Sequence, residues 1–263
     1  MGPLALVPLL LAIATRVCAA APSVPNNGTD STRPRTQAAT LYEFQNLPGP
    51  APDSSSTLTF RGIQKLEFDE HWAASLRLDM PVVLTNAPSP DDPDGGFEIG
   101  SGNLLNQAAL IYTLNDRWAF AGGSQVKDPT ASRATTGSTG YQVLPGAVVR
   151  AMLPELSRGS FFAPEILYAF DVGEPDSGEL QLQPTLNVEL PHGLFLNLFP
   201  NPDIRINLGE PKGSGRLFFP FDALVGVMVT PALATSLEVS LPIVKAYPVY
   251  DFKLQAKVAY FFD

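Results

Sequence analysis

Residues 180–190 read Leu-Gln-Leu-Gln-Pro-Thr-Leu-Asn-Val-Glu-Leu, and this stretch decides the fold class. Apolar residues or proline occupy every even position, and polar residues occupy every odd position. Side chains of a β-strand alternate between two faces with a period of two, whereas a helix repeats every 3.6 residues. The stretch therefore predicts a strand with one apolar face and one polar face.

The same alternation recurs along the chain, at residues 76–82, 162–172, 233–241 and 250–262. Strands of up to about ten residues are long enough to cross the hydrocarbon of a membrane at a tilt. The connections between strands are of two sizes, and short turns alternating with long polar loops are typical of a transmembrane barrel. We therefore predict an all-β protein, an up-and-down antiparallel transmembrane β-barrel of 10–12 strands, about 12.

A soluble β-sandwich with one wet face per sheet is the alternative, because it shows the same alternation. Sandwich strands are usually shorter, and aromatic residues near strand ends favour the barrel. These aromatics are expected to form girdles at the two membrane interfaces: Trp72, Tyr112, Trp118, Phe199, Phe218, Phe219, Tyr250, Phe261 and Phe262.

The first residues resemble a signal peptide. The apolar run 4–14 is too short to cross a bilayer as a helix, and small residues follow at 18–21. We predict a signal peptide over 1–20, a flexible leader rich in Pro, Asn, Ser and Thr over 21–40, and the barrel over 41–263. Cleavage after Ala20 would remove Cys18, the one cysteine of the chain, which excludes a disulfide scaffold.

The composition argues against nucleic-acid binding and catalysis. A formal net charge of -9 does not suit a phosphate backbone. The two histidines, His71 and His192, lack the spacing of a zinc site, so we predict no catalytic, cofactor or metal residues. His71 lies near Asp69, which leaves a hydrolase-like pair as a minor alternative.

Charged residues on the polar faces of the strands are expected to face the lumen. Two interpretations stand: opposite charges pair and close a narrow lumen, or they line a pore and set its selectivity. The register predicts that Leu254→Lys places a charge against lipid, whereas Lys253→Gln leaves the fold intact. The candidate lumen residues are Arg77, Asp79, Arg150, Glu165, Glu189, Glu238, Asp251, Lys253 and Lys257.

The final segment, residues 250–262, is similar to the closing strand of outer-membrane barrels, which ends in an aromatic that the assembly machinery recognises. Tyr260 and Phe262 are the candidate signal. Further short elements follow one another in a family order: 44–46 (Phe-Gln-Asn), 66–81, 100–104 (Gly-Ser-Gly-Asn-Leu), 129–132 (Pro-Thr-Ala-Ser), 137–141 and 183–193. In these elements the chain resembles outer-membrane proteins named after the phenol meta-degradation pathway and described as transporters.

The resemblance implies a barrel of about twelve strands in the bacterial outer membrane that transports small molecules, including hydrophobic or aromatic ones. The expected partners are outer-membrane lipid, the assembly machinery and a small-molecule substrate, with no cofactor. Two alternatives of other classes stay open: an envelope barrel with a structural or surface-interaction role, and an exported soluble sandwich that binds a ligand.

Overall fold

The computed structural model describes residues 26–49, 53–88, 95–173, 178–209 and 215–262. The signal peptide predicted for residues 1–20 lies outside this part of the chain. Within these described residues, fourteen strands form one sheet: β1 (Gln37–Asn46), β2 (Ser54–Glu67), β3 (Trp72–Thr85), β4 (Glu98–Ser101), β5 (Leu105–Thr113), β6 (Trp118–Lys127), β7 (Gln142–Met152), β8 (Phe161–Asp171), β9 (Glu179–Glu189), β10 (Leu194–Leu198), β11 (Ile204–Asn207), β12 (Leu217–Thr230), β13 (Leu233–Lys245) and β14 (Phe252–Phe261).

The sheet closes on itself because β1 pairs with both β2 and β14, with Gln37 opposite Phe261. The strands β4 and β5 both pair with β3, and β10 and β11 both lie between β9 and β12. The strands β4 and β5 therefore occupy one place in the wall, one after the other, and β10 and β11 occupy another. The fourteen strands thus make a closed antiparallel barrel with twelve strand positions around its circumference. This confirms the predicted barrel and rules out the sandwich, which would need two separate sheets.

Three strand prolines, Pro145, Pro164 and Pro220, coincide with interruptions of a ladder, whereas Pro184 lies opposite Pro164 in the continuous β8–β9 ladder. The pairing between β7 and β8 has two gaps. Pro145 lies in the gap at 144–145, and Pro164 of β8 faces the gap at 149–150. Pro220 lies at a register shift between β12 and β13. A proline cannot donate a ladder hydrogen bond, so these interruptions limit its cost to the wall.

The two faces of the wall differ as the alternation requires. On β3 the outward side chains of Leu76, Leu78 and Met80 are 46%, 39% and 46% exposed, whereas Asp79 between them is 6% exposed. The exposed surface is apolar, which suits contact with lipid hydrocarbon. None of the described residues forms a helix long and apolar enough to cross a membrane.

The girdle prediction is wrong for three aromatics. Trp72, Trp118 and Phe262 are exposed, but Phe218, Tyr250 and Phe261 are 0%, 0% and 1% exposed and lie inside the barrel. Phe218 and Phe261 each follow an outward residue by one position, so the pleat turns them inward. Tyr250 precedes β14, and the alternation does not extend to it.

The N-terminal segment, residues 26–36, lies against the inside of the wall. The Asp30 carboxylate is 3.2 Å from Arg150 Nη1 on β7, and both side chains are almost fully buried. The side chain of Asn27 donates to Asn187 Oδ1 of β9 at 3.0 Å. The first strand, β1, begins at Gln37, four residues before the predicted start of the barrel at residue 41, and residues 26–36 of the expected leader lie in the lumen.

Candidate functional site

The barrel encloses a cavity of about 460 Å³, lined by inward side chains of most strands. The barrel end with the short connections, such as 68–71 and 190–193, is called the turn end here, and the opposite end is the loop end. Strand β1 begins and β14 ends at the turn end. The N-terminal segment also contributes to the lining of the cavity. The lining is rich in charged and amide side chains, as expected for the inside of a water-filled barrel.

A cluster of acidic residues around one lysine, the Lys253 cluster, lies on the wall toward the loop end. The Lys253 ammonium pairs with Asp203 and lies 2.7 Å from Glu238 Oε1. Both oxygens of Glu238 also accept from Asn201 Nδ2 at 2.8 Å. The chain between β10 and β11 folds inward, and this break in the strand brings Asn201 and Asp203 into the lumen.

Two further groups complete this cluster. The Tyr250 hydroxyl lies 2.6 Å from Ser240 Oγ and donates to Asp203 Oδ2 at 3.2 Å. Asp222 is 0% exposed, and its carboxylate oxygens have no hydrogen-bond partner among the described residues. Carboxylate oxygens of Asp203, Asp222 and Glu238 lie within 4.8 Å of one another. The Lys253 ammonium compensates part of this buried negative charge, and Arg205 Nη2 also lies 3.6 Å from Asp203 Oδ1.

A second cluster, centred on Asp79, carries an excess of positive charge. Arg61 donates to the Asp79 carboxylate through Nε and Nη2 at 2.7 and 2.8 Å, and Arg77 donates to the same carboxylate through its own Nε and Nη2. Arg77 Nη1 also donates to Gln107 Oε1 at 3.4 Å. Lys257 on β14 lines the same cavity.

The other predicted lumen residues occupy separate places. Arg150 holds Asp30 of the N-terminal segment, and Glu189 accepts the Gly159 amide at 2.8 Å. Asp251 pairs with Lys245 at the loop end rather than in the lumen centre. Glu165 lines the cavity from β8.

The predicted assembly residues, Tyr260 and Phe262, lie on the outer face of the last strand. Their rings make an edge-to-face contact at 5.2 Å, and both are more than half exposed. Two adjacent aromatic rings therefore mark the turn end of β14.

Sequence reasoning missed Asp30, Asn201, Asp203 and Asp222. The first three lie outside strands, where no alternation places a side chain. Asp222 follows Phe221 within an almost wholly apolar strand, and only its parity with the inward residues of β12 could have identified it.

The histidines take part in turns. The Asp69 carboxylate accepts the backbone amides of His71 and Trp72 at 2.8 and 2.7 Å, and these hydrogen bonds hold the pKa of Asp69 below its usual range. The His71 ring instead lies 2.9 Å from the Thr113 carbonyl. His192 has φ of 64° in the turn at 191–193. Asp69 therefore caps a turn and does not orient the His71 ring.

No protein-family model matches the chain, and no curated protein matches it. Solved structures do. The COG4313 outer membrane channel from Pseudomonas putida F1 aligns with a TM-score of 0.71 at 15% identity, over 92% of this chain and 100% of that chain. The KdgM porin aligns with a TM-score of 0.54 at 10% identity, over 86% and 99% of the two chains. The NanC porin gives 0.51 at 8% identity, over 87% and 99%.

The fold and its lumen define the chain as a twelve-position antiparallel β-barrel of the outer-membrane type. Its architecture is similar to that of outer-membrane channels and porins. The resemblance to the meta-degradation pathway family stays a prediction, because identities of 15% and below show the fold alone.

Proposed function

We propose that the protein is a channel of the bacterial outer membrane that passes small polar or charged molecules. The observation that carries this proposal is the cavity of about 460 Å³, lined by charged and amide side chains, inside a closed wall whose outer face is apolar. A barrel of eight strands is just wide enough for its own side chains to fill, so twelve positions leave room for solute.

The lining favours charged solutes over wholly hydrophobic ones. A hydrophobic molecule in the lumen would remove water from groups such as Arg61, Lys257 and Glu165 without replacing their hydrogen bonds, which is costly. The hydrophobic or aromatic substrates implied by the family resemblance fit this lining when they carry a polar or charged group.

Electrical recording tests the proposal directly. The purified barrel, reconstituted in planar bilayers in potassium chloride, should give discrete single-channel currents. A variant that lacks residues 26–36 should conduct more than the full chain, because this segment lies in the lumen. Silence of both proteins, with correct folding shown by a shift in gel mobility on boiling, contradicts a channel.

A second candidate is an envelope barrel without a transport role. The observation that favours it is the N-terminal segment, which is fixed in the lumen by the buried Asp30–Arg150 pair and by Asn187. A barrel that stays silent without this segment would support the structural role.

We propose further that the protein contacts outer-membrane lipid through its apolar face and reaches this location through the assembly machinery. Tyr260 and Phe262 would supply the recognition signal. Phe262→Ala should lower the yield in outer-membrane fractions, whereas Phe120→Ala, which removes an outward aromatic of β6, should not. Equal loss in both variants would assign the effect to lipid contact rather than to recognition.

A further inference from the structure

The Asp79 cluster has fewer acceptors than donors. Arg61 and Arg77 each use Nε and Nη2 on the single carboxylate of Asp79, so two positive charges share one negative charge. Both arginines line the cavity, whereas Asp79, 6% exposed, is not part of the lining. The carboxylate therefore lies behind the guanidinium groups, and Arg61 Nη1 has no acceptor among the described residues.

Lys257 adds a third basic side chain to this part of the wall. Its ammonium has no ion-pair or hydrogen-bond partner in the described part of the chain. Strand β1 lies between β14, which carries Lys257, and β2, which carries Arg61. Its inward residues are Leu41, opposite Lys257, and Ala39, opposite Arg61, and neither offers a side-chain acceptor. Two guanidinium groups and one amino group around a single carboxylate leave N–H donors toward the cavity, which favours an anion.

Gln107 contributes a neutral donor at the same place. Its Oε1 accepts from Arg77 Nη1 at 3.4 Å, which leaves the amide nitrogen as the free end of this side chain. Gln107 and Lys257 both line the cavity. The local set of free groups consists of N–H donors, as an incoming carboxylate requires.

The other carboxylates that line the cavity make no hydrogen bond or ion pair with Arg61, Arg77 or Lys257 among the described residues. Glu43 accepts from Gln45 and Gln255 at 2.8 and 2.9 Å, and Glu238 belongs to the Lys253 cluster. Glu165 faces the cavity from β8 and would repel a second negative charge on a solute. The arrangement thus favours a single carboxylate over a dicarboxylate.

We infer that Lys257, Arg61 and Gln107 form a binding site in the lumen for the carboxylate of small organic monoacids. This inference rests on the proposed channel function and gives its substrate class. The cavity of about 460 Å³ is within the range of small-molecule sites. The carboxylate would accept from the Lys257 ammonium and from Arg61 Nη1, with the Gln107 amide as a third donor.

Acetate and acetamide are suitable probes, because they have nearly the same size and differ in charge. In planar bilayers at constant ionic strength, acetate should reduce the chloride current through the wild-type channel in a saturable way, and acetamide should not. Lys257→Gln should raise the half-blocking acetate concentration about tenfold, since it removes a charged hydrogen-bond donor. Lys257→Arg, which keeps the charge, should retain the block.

The matched control is Lys65→Gln, which removes the same charge from an exposed pair with Glu67 near the turn end. Its acetate block should equal that of the wild type. Equal block in Lys257→Gln and in the wild type, or equal block by acetamide and acetate, overturns the inference.

Failure of the channel and failure of the site are distinguishable. If no variant conducts, calorimetric titration of the detergent-purified barrel with acetate still tests the site. Binding that Lys257→Gln abolishes and Lys65→Gln retains would keep the site and remove the transport role. A conducting barrel that neither binds acetate nor is blocked by it would keep the channel and remove the site.

Discussion

Lys253 gives the sharpest test of how the lumen is held together. Its side chain is 3% exposed and pairs with Asp203 and Glu238, whose side chains are 9% and 1% exposed. The alternation of the sequence predicts that Lys253→Gln leaves the fold intact. The structure predicts a loss of stability instead, because glutamine would leave Glu238 without its cationic partner among the described residues. Asp203 would keep the Arg205 guanidinium, whose Nη2 lies 3.6 Å from Asp203 Oδ1.

The expected loss is large. Removal of one partner from a buried ion pair costs about 3–5 kcal/mol, because the remaining charge stays buried without compensation. The matched control is Lys245→Gln, which breaks the pair with Asp251 at the loop end, where the two side chains are 44% and 35% exposed. A pair of that exposure contributes at most about 1 kcal/mol.

The assay is denaturant unfolding of the barrel in lipid vesicles. Trp72 and Trp118, the two tryptophans of the chain, are 41% and 40% exposed on the outer face and report on contact with lipid through their fluorescence. Lys253→Gln should lower the free energy of unfolding by at least 2 kcal/mol more than Lys245→Gln does. The double variant Glu238→Gln/Lys253→Gln should recover part of the loss. If Lys253→Gln and Lys245→Gln unfold alike, the ammonium does not stabilise the cluster.

Three further outcomes are expected. Leu254→Lys should lower the free energy of unfolding by about 2–4 kcal/mol in the same assay, because it places a charge against lipid. Gln255→Lys, on the lumen face, should assemble normally. Equal yields of the two assembled variants would show that the faces are misassigned. Asp30→Ala should raise single-channel conductance, because Arg150 then no longer holds the N-terminal segment, and an unchanged conductance would show that this segment does not restrict flow. The Asp69 carboxyl should titrate below about 3.9 in an NMR pH series, because backbone amides hold its pKa down. The contribution of this turn to folding stability is present above that pH and is lost as the pH falls through the lowered pKa. A midpoint at the ordinary value would contradict the capping hydrogen bonds.

The architecture was predictable because the alternation of side chains is a local property of the chain. In the stretch 180–190, the order of apolar and polar residues alone assigns each side chain to a face. The structure places the strand β9 at Glu179–Glu189, in agreement with this stretch. The faces of the aromatic residues were less predictable, because neighbouring residues of a strand point to opposite faces. Phe261 points inward, and Phe262, the next residue, points outward.

The partners of the charges could not be predicted from alternation. Lys253 and Glu238 were assigned to the lumen, but Asp203, which pairs with Lys253, comes from a break between β10 and β11. Asp30, the partner of Arg150, belongs to a stretch whose composition indicates a leader. A contact between a strand and a segment without periodic pattern depends on tertiary structure, and the local sequence does not encode it.

The two sequence interpretations of the lumen charges, pairing and pore lining, apply to different residues. Asp79, Glu238 and Lys253 are engaged in pairs within the wall, and these pairs keep their side chains in place. Lys257 and Glu165 face the cavity without an ion pair among the described residues. A paired charge is already compensated and interacts weakly with a passing solute, whereas an unpaired charge attracts or repels it. Selectivity in this barrel should therefore depend on Lys257 and Glu165, while its stability should depend on the paired charges.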